Sequence, residues 1–143
     1  MRTCKLNHCT YRHQYHLVWG TRYRRKYLKA YVWEELNELI FSIPKKYPTM
    51  YIHALKGGED HVHLQIEVPP DISVAKAVQR IKWVTSIGLK KKFRFIRKIY
   101  LEGNIWSVGY FSSTLGLNEM QVKQYIRRQG LQEQIHQIRL LDS

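Results

Sequence analysis

Cysteine is scarce: the chain carries two in 143 residues, Cys4 and Cys9, close together near one end. That argues against a disulfide framework and for a reducing cytoplasm. Zinc on Cys4, His8, Cys9 and His13 is conceivable, but their spacing matches no standard finger. Acidic residues are scarce too, with 11 Asp and Glu against 24 Lys and Arg, a formal net charge of +13 and a pI near 9.9. Such an imbalance implies a polyanionic partner, and nucleic acid comes first. No segment approaches the run of ~18 apolar residues that a transmembrane helix needs. The opening Met1-Arg-Thr-Cys-Lys-Leu-Asn-His8 is polar where a secretory signal would be apolar. The membrane and secreted classes are therefore set aside. Repeats, low-complexity tracts and linkers are also missing, so residues 1–143 read as one domain.

What is present is patterned. Tyr11 to Tyr23 is rich in aromatic and β-branched residues, with Tyr15, Leu17 and Trp19 on one side of an alternation, and predicts a first strand. Leu28, Val32, Leu36, Leu39, Ile40 and Ile43 fall at helical spacing and predict an amphipathic helix ending near Pro44. Tyr51 to Lys56 forms a second strand, Gly57 to Asp60 a turn, and His61 to Val68 a third strand alternating polar and apolar without exception. Ser73 caps a second helix with Val74, Val78, Ile81 and Thr85 inward, ended by the Lys90 to Lys98 tract. A fourth strand is expected around Asn104 to Phe111, and a last helix from about Asn118 to about Gln134. Strand, helix, strand, strand, helix, strand is the split βαβ order of an α+β, ferredoxin-like or RRM-like antiparallel sheet. Both helices should cover one face, leaving the other free, with an extra C-terminal helix added.

His61 and His63 are two apart on a strand, so both imidazoles project from the face opposite Val62, Leu64 and Ile66. They are either solvent-facing strand residues or a pair able to chelate one divalent ion. Tyr125 and Gln129 are four apart and share a face of the last helix. Tyr125 alone reads equally as a packed ring with a wet hydroxyl. Beside a histidine pair it gains a chemical role: a tyrosine hydroxyl can attack a DNA phosphorus and conserve the ester energy in a phosphotyrosine. Its ordinary pKa of ~10 makes it a weak nucleophile at neutral pH, so Mg²⁺ or Mn²⁺ on His61, His63 and an oxygen such as that of Gln129 would help.

His61-Val62-His63 resembles the His-hydrophobe-His motif of the HUH endonucleases. Within them the chain is similar to the small single-tyrosine transposases of insertion sequences that move as single-stranded DNA and carry hairpins near their ends. The likeness runs through Tyr15-His-Leu-Val-Trp-Gly-Thr-Arg-Tyr-Arg-Arg25, Asp60-His-Val-His-Leu64, Trp106-Ser-Val-Gly-Tyr-Phe111 and Tyr125-Ile-Arg-Arg-Gln-Gly130. The resemblance implies Tyr125 as nucleophile, His61 and His63 as metal ligands with Gln129 as third ligand, and a homodimer acting on hairpin-bearing single-stranded DNA at the nucleoid. In replication initiators of the superfamily a second tyrosine often stands where this chain has Gln129. Relaxases use three histidines, and both contrasts favour the transposases.

The basic tracts Arg22, Arg24, Arg25, Lys26 and Lys90, Lys91, Lys92, Arg94, interleaved with Tyr23, Tyr27, Phe93 and Phe95, suit phosphate neutralisation with base stacking. Equally, they read as a solvated charged face with its aromatics in the core. Asp60 either orients a ligand histidine or only forms the turn. Two rivals stand beside the transposase: a domesticated HUH nuclease acting on repetitive hairpins, and a non-catalytic ferredoxin-like nucleic-acid-binding module, whose open face would carry stacking aromatics.

Overall fold

The computed structural model describes residues 4–6, 9–11, 14–114 and 116–141, with side-chain surroundings for 14–114 and 116–133. Strands β1 (Cys4–Leu6) and β2 (Cys9–Tyr11) pair antiparallel as a small hairpin of their own. His8 and His13, half of the cysteine and histidine set, lie outside the described residues. The main elements are β3 (Gln14–Gly20), a tight 3-10 turn (Arg22–Arg24), α1 (Ala30–Lys46), β4 (Tyr51–Gly57) and β5 (His61–Glu67). They continue with α2 (Val74–Lys92), α3 (Arg94–Ile99), β6 (Phe111–Ser113) and α4 (Glu119–Leu141). The main sheet runs β4-β5-β3-β6, every pair antiparallel, so β3 and β5 are central. This is the α+β ferredoxin-like order with a C-terminal helix added.

Alternation fixes the two faces. Leu17 and Trp19 of β3 and Val62, Leu64 and Ile66 of β5, all fully buried, meet Val32, Leu36 and Ile40 of α1 and Ala77, Val78, Ile81 and Leu89 of α2. Each such aliphatic side chain contributes roughly 1.5–3 kcal/mol by leaving water. The opposite row of β3 is His16, Val18 and Gly20, and Val18 breaks its polarity. Val122 and Ile126 of α4 pack on Val18 in a second, smaller cluster. The face expected to be free is thus partly covered by the chain's own last helix, and His63 is only 7% exposed.

Local chemistry explains the ends of the helices. Ser73 Oγ accepts from the Lys76 amide at 3.1 Å and starts α2. Asn118 and Gln121 exchange side-chain-to-backbone bonds of 2.9 and 3.0 Å, a capping box that starts α4. Helix α1 begins at Ala30 instead of Leu28, because the Leu28 amide donates to the Glu59 carbonyl. It runs two residues past Pro44, whose missing N–H falls in a last turn still closed by Tyr47 N–H to Ile43. The Lys90 to Lys98 tract contains a separate helix, α3, and α4 extends to Leu141 rather than to about Gln134.

The fourth strand departs most from expectation. It is β6, starting at Phe111 where the predicted strand ends, and Ile105 to Ser107 make only one bridge, Thr21 to Trp106. Side chains have taken the groups a ladder would use. Lys82 Nζ donates to the Ser107 and Gly109 carbonyls at 2.8 and 2.6 Å, and Ser107 Oγ donates to the Thr21 carbonyl at 2.8 Å. Gly109, at φ 91°, supplies the left-handed step that this loop needs. Trp106 plugs the core, its indole N–H donating to Thr85 Oγ1 at 2.9 Å. Thr85→Val keeps the shape and removes the acceptor, so urea unfolding should show a loss of about 1–3 kcal/mol.

Candidate active site

Strand β5 sets His61 and His63 side by side on the face under α4. Asp60 sits at the end of the turn before it, 9% exposed. Its Oδ1 lies 2.9 Å from His61 Nδ1, and its Oδ2 accepts from Arg24 Nε at 3.0 Å. The hydrogen bond from His61 and the Arg24 guanidinium hold the Asp60 carboxyl below its usual range against the opposing effect of burial. An ionised carboxylate only accepts, so His61 Nδ1 is the donor in this contact, which fixes the orientation of the ring. Glycine makes room for this ring: a Cβ on Gly58 would stand 2.8 Å from His61 Cε1.

His63 Nε2 lies 3.4 Å from His16 Nδ1 on the neighbouring strand. Burial, then the nearby Lys56 charge, then His16 and His61 push His63 down to about 4. Burial and Lys56 push His16 in the same direction. Both rings are therefore neutral near pH 7, the state that binds a cation. An unfolded chain takes up this His63 proton near pH 6.5 while the folded one resists until about 4. The stabilisation is complete above 6.5 and lost as pH falls through this window. Metal-free protein should lose up to about 3 kcal/mol between pH 6.5 and 4 in denaturant titrations, and His63→Asn should flatten that dependence.

A cleft of about 310 Å³ opens beside the pair, lined by Lys56, His61, His63, Glu119, Val122 and Lys123 among others. Lys56 and Lys123 give it a positive wall for phosphate. Neither was singled out by sequence, although Lys56 pairs directly with His63 across the β4–β5 hairpin. Pairing the strands through the Gly57 to Asp60 turn would have brought it to notice. His16 belongs to the same group through the register that sets Val18 opposite His63.

Tyr125 and Gln129 stand elsewhere on α4. The residues of that helix facing the cleft lie toward its N-terminus from Tyr125. The Tyr125 ring packs against Phe111 of β6 at 5.9 Å between centroids. Its hydroxyl is buried without a hydrogen-bond partner, and burial, then the Glu133 carboxylate, push it up to about 12. Gln129 Nε2 donates to the Val108 carbonyl at 3.0 Å. The chain thus brings His61, His63, His16 and Asp60 together but seats Gln129 on the 107–109 loop.

The basic tracts divide likewise. Tyr100 Oη donates to the Arg22 carbonyl at 2.6 Å and Lys90 Nζ donates to the Gly103 carbonyl, which draws both tracts to one segment. Arg24, Arg25, Lys26, Lys91, Lys92 and Arg94 are exposed, and Arg24 is also bonded to Asp60. The Arg22 guanidinium lies 5.2 Å from the Tyr23 ring centre. Tyr27 is no stacking platform: it is 1% exposed, with its hydroxyl on the Ile105 carbonyl. Phe93 and Phe95 are half-buried and cluster with exposed Tyr31. Among the described residues, no helix is long and apolar enough to cross a membrane.

A ferredoxin-like sheet with a His-hydrophobe-His pair on a central strand and a last helix bearing a tyrosine defines the HUH-type single-tyrosine transposases. The chain belongs to the IS200-like transposase family, whose model, "Transposase IS200 like", matches residues 9–129. It is 28% identical over 127 residues to the transposase for insertion sequence element IS200 of Salmonella typhimurium, covering 87% of this chain and 81% of that one. It is 25% identical over 120 residues to the ISDra2 transposase TnpA of Deinococcus radiodurans, covering 83% and 85%. A crystal structure of a D. radiodurans R1 protein assigned as a transposase superposes with a TM-score of 0.76 at 26% identity, covering 88% of this chain and 97% of that one. A REP-associated tyrosine transposase bound to a REP hairpin shares the fold, with a TM-score of 0.52 at 16% identity over 80% of this chain and 62% of that one.

Proposed function

We propose that this transposase cuts and rejoins single-stranded DNA at insertion-sequence ends through a 5′-phosphotyrosine on Tyr125, with Mg²⁺ or Mn²⁺ held by His61 and His63. The observation that carries the reading is the paired histidines on a central strand beneath the helix that bears the tyrosine. Tyr125 Oη bonds to the phosphorus, the P–O3′ bond breaks, and the 3′-oxygen leaves with a proton. Attack by a 3′-hydroxyl reverses the step and rejoins DNA with no nucleotide cofactor.

The donor set fits a divalent ion in part. Two imidazoles share a face, one of them with its Nδ1 engaged by Asp60, while Gln129, the expected third ligand, donates its amide Nε2 to the Val108 carbonyl. A bound ion would polarise the phosphate and stabilise the leaving alkoxide. Lys56 and Lys123 orient the phosphate in the cleft, and the exposed basic tracts neutralise the rest of a DNA hairpin.

Tyr125, packed on Phe111, and Gln129, bonded to Val108, do not line the cleft, so α4 is expected to shift as the site is completed. Two DNA ends and one nucleophile per chain make a homodimer the simplest assembly, with α4 completing either its own site or the partner's. The test is incubation with single-stranded oligonucleotides from the element's ends, with and without Mg²⁺ or Mn²⁺, followed by denaturing electrophoresis. A metal-dependent, SDS-stable adduct is expected, and its absence on matched ends would falsify the reading. Mixing Tyr125→Phe chains with His61→Ala chains should restore part of the adduct if α4 works on the partner's histidines, and none if it works on its own.

A further inference from the structure

Arg24 does more than add a positive charge to its tract. Tyr23 and Arg24 both adopt left-handed backbone, φ 58° and 56°, which non-glycine residues avoid and which persists only where the surroundings impose it. The turn is held by the Arg24 amide on the Thr21 carbonyl, and Thr21 is tied by its own amide and hydroxyl to the Asp60 carbonyl. From that strained backbone the Arg24 side chain reaches two places at once. Its Nε donates to Asp60 Oδ2 at 3.0 Å, on the carboxylate that holds His61 Nδ1. Its methylenes run under Gly130 of α4, where a Cβ would stand 2.8 Å from Arg24 Cδ and 3.3 Å from Nη1. Gly130 follows Gln129 directly and sits in the interior of a 23-residue helix, where glycine is a poor helix former. Close approach of Arg24 gives that glycine a physical reason.

We propose that Arg24 is a positioning residue that couples the seating of the tyrosine helix to the orientation of His61, through Asp60. With α4 seated, Gly130 closes over the Arg24 stem, the guanidinium stays on Asp60, and Asp60 fixes the orientation of the His61 ring. When α4 lifts, the Arg24 stem loses its cover, and the histidine senses the departure. The consequence for metal binding rests on the reading of His61 as a ligand, but the link itself is a property of the metal-free protein.

The test uses full-length, metal-free protein labelled with ¹⁵N-histidine, in which long-range ¹H–¹⁵N correlation at pH 8 reads the protonated ring nitrogen of His61. A single Nδ1–H tautomer is expected in the parent and a mixture in Arg24→Ala. Gly130→Ala should give the same mixture and lower the melting temperature, although alanine in an unconstrained helix position would raise it. Arg24→Lys keeps the charge without the guanidinium Nε–H, and should give the same tautomer mixture as Arg24→Ala. Mn²⁺ affinity, read by electron paramagnetic resonance, should fall about tenfold in Arg24→Ala. The link is overturned if His61 keeps its tautomer in Arg24→Ala while the salt dependence of DNA binding loses about one phosphate contact. It is equally overturned if Gly130→Ala only raises the melting temperature. Failure of the parent to bind Mn²⁺ with the tautomer changes intact would sink the metal reading and leave the link standing.

Discussion

Tyr125→Phe should abolish the covalent protein–DNA adduct completely while leaving affinity for hairpin DNA within about twofold. Without the phenolic oxygen no phosphotyrosine forms, whatever the metal or the exposure time. The fold should not suffer. The Tyr125 hydroxyl is buried without a partner, so removing it relieves an unsatisfied polar group, and the variant should be unchanged or about 1 kcal/mol more stable in urea. A more stable protein that forms no adduct separates chemistry from folding. The burial that pushes this tyrosine up to about 12 also means that the seated helix presents a poor nucleophile. Under the proposed function α4 is expected to shift before chemistry, and the 3.0 Å bond from Gln129 Nε2 to the Val108 carbonyl is one contact such a shift would open.

His61→Ala should reduce cleavage by at least about a thousandfold and keep DNA binding within about threefold, because the charges that attract DNA lie elsewhere. Saturating Mn²⁺ provides the direct reading. Parent protein at a hundred times its dissociation constant should gain about 2.7 kcal/mol of stability, and the variant should gain almost none. His63→Ala should behave the same way toward metal but lose more intrinsic stability, since His63 is 7% exposed and its removal leaves a hole under α4. Equal loss of DNA binding and cleavage in both variants would point to a structural pair instead.

Periodicity made much of this protein legible. The alternation through β5 put His61 and His63 on one face and Val62, Leu64 and Ile66 on the other, and the structure keeps that division. Ser73 and Asn118 announced two helix starts because capping chemistry is local. The fourth strand was not legible. Lys82 stands 25 and 27 residues from the carbonyls it takes, and nothing in the spacing of Asn104 to Phe111 signals a competing donor.

The candidate site divides the same way. The two histidines, Tyr125 and Gln129 were identifiable as types at meaningful spacings, since spacing along a helix or strand fixes which side chains share a face. Which face of α4 meets which groove depends on one apolar residue, Val18, in a polar row, and on polar contacts such as Arg24 with Asp60, 36 residues apart. By itself the sequence determined the first three strands of the main sheet with their two covering helices, the sheet's inward face, the basic charge and the histidine pair, because each rests on local geometry or composition. Only the tertiary structure decided that the last helix partly covers the sheet face expected to be free, that Tyr125 packs on Phe111 and Gln129 bonds to Val108 outside the histidine cleft, and that Arg24 turns to Asp60. Those are outcomes of competition among distant polar and apolar partners, which no repeat in the chain encodes.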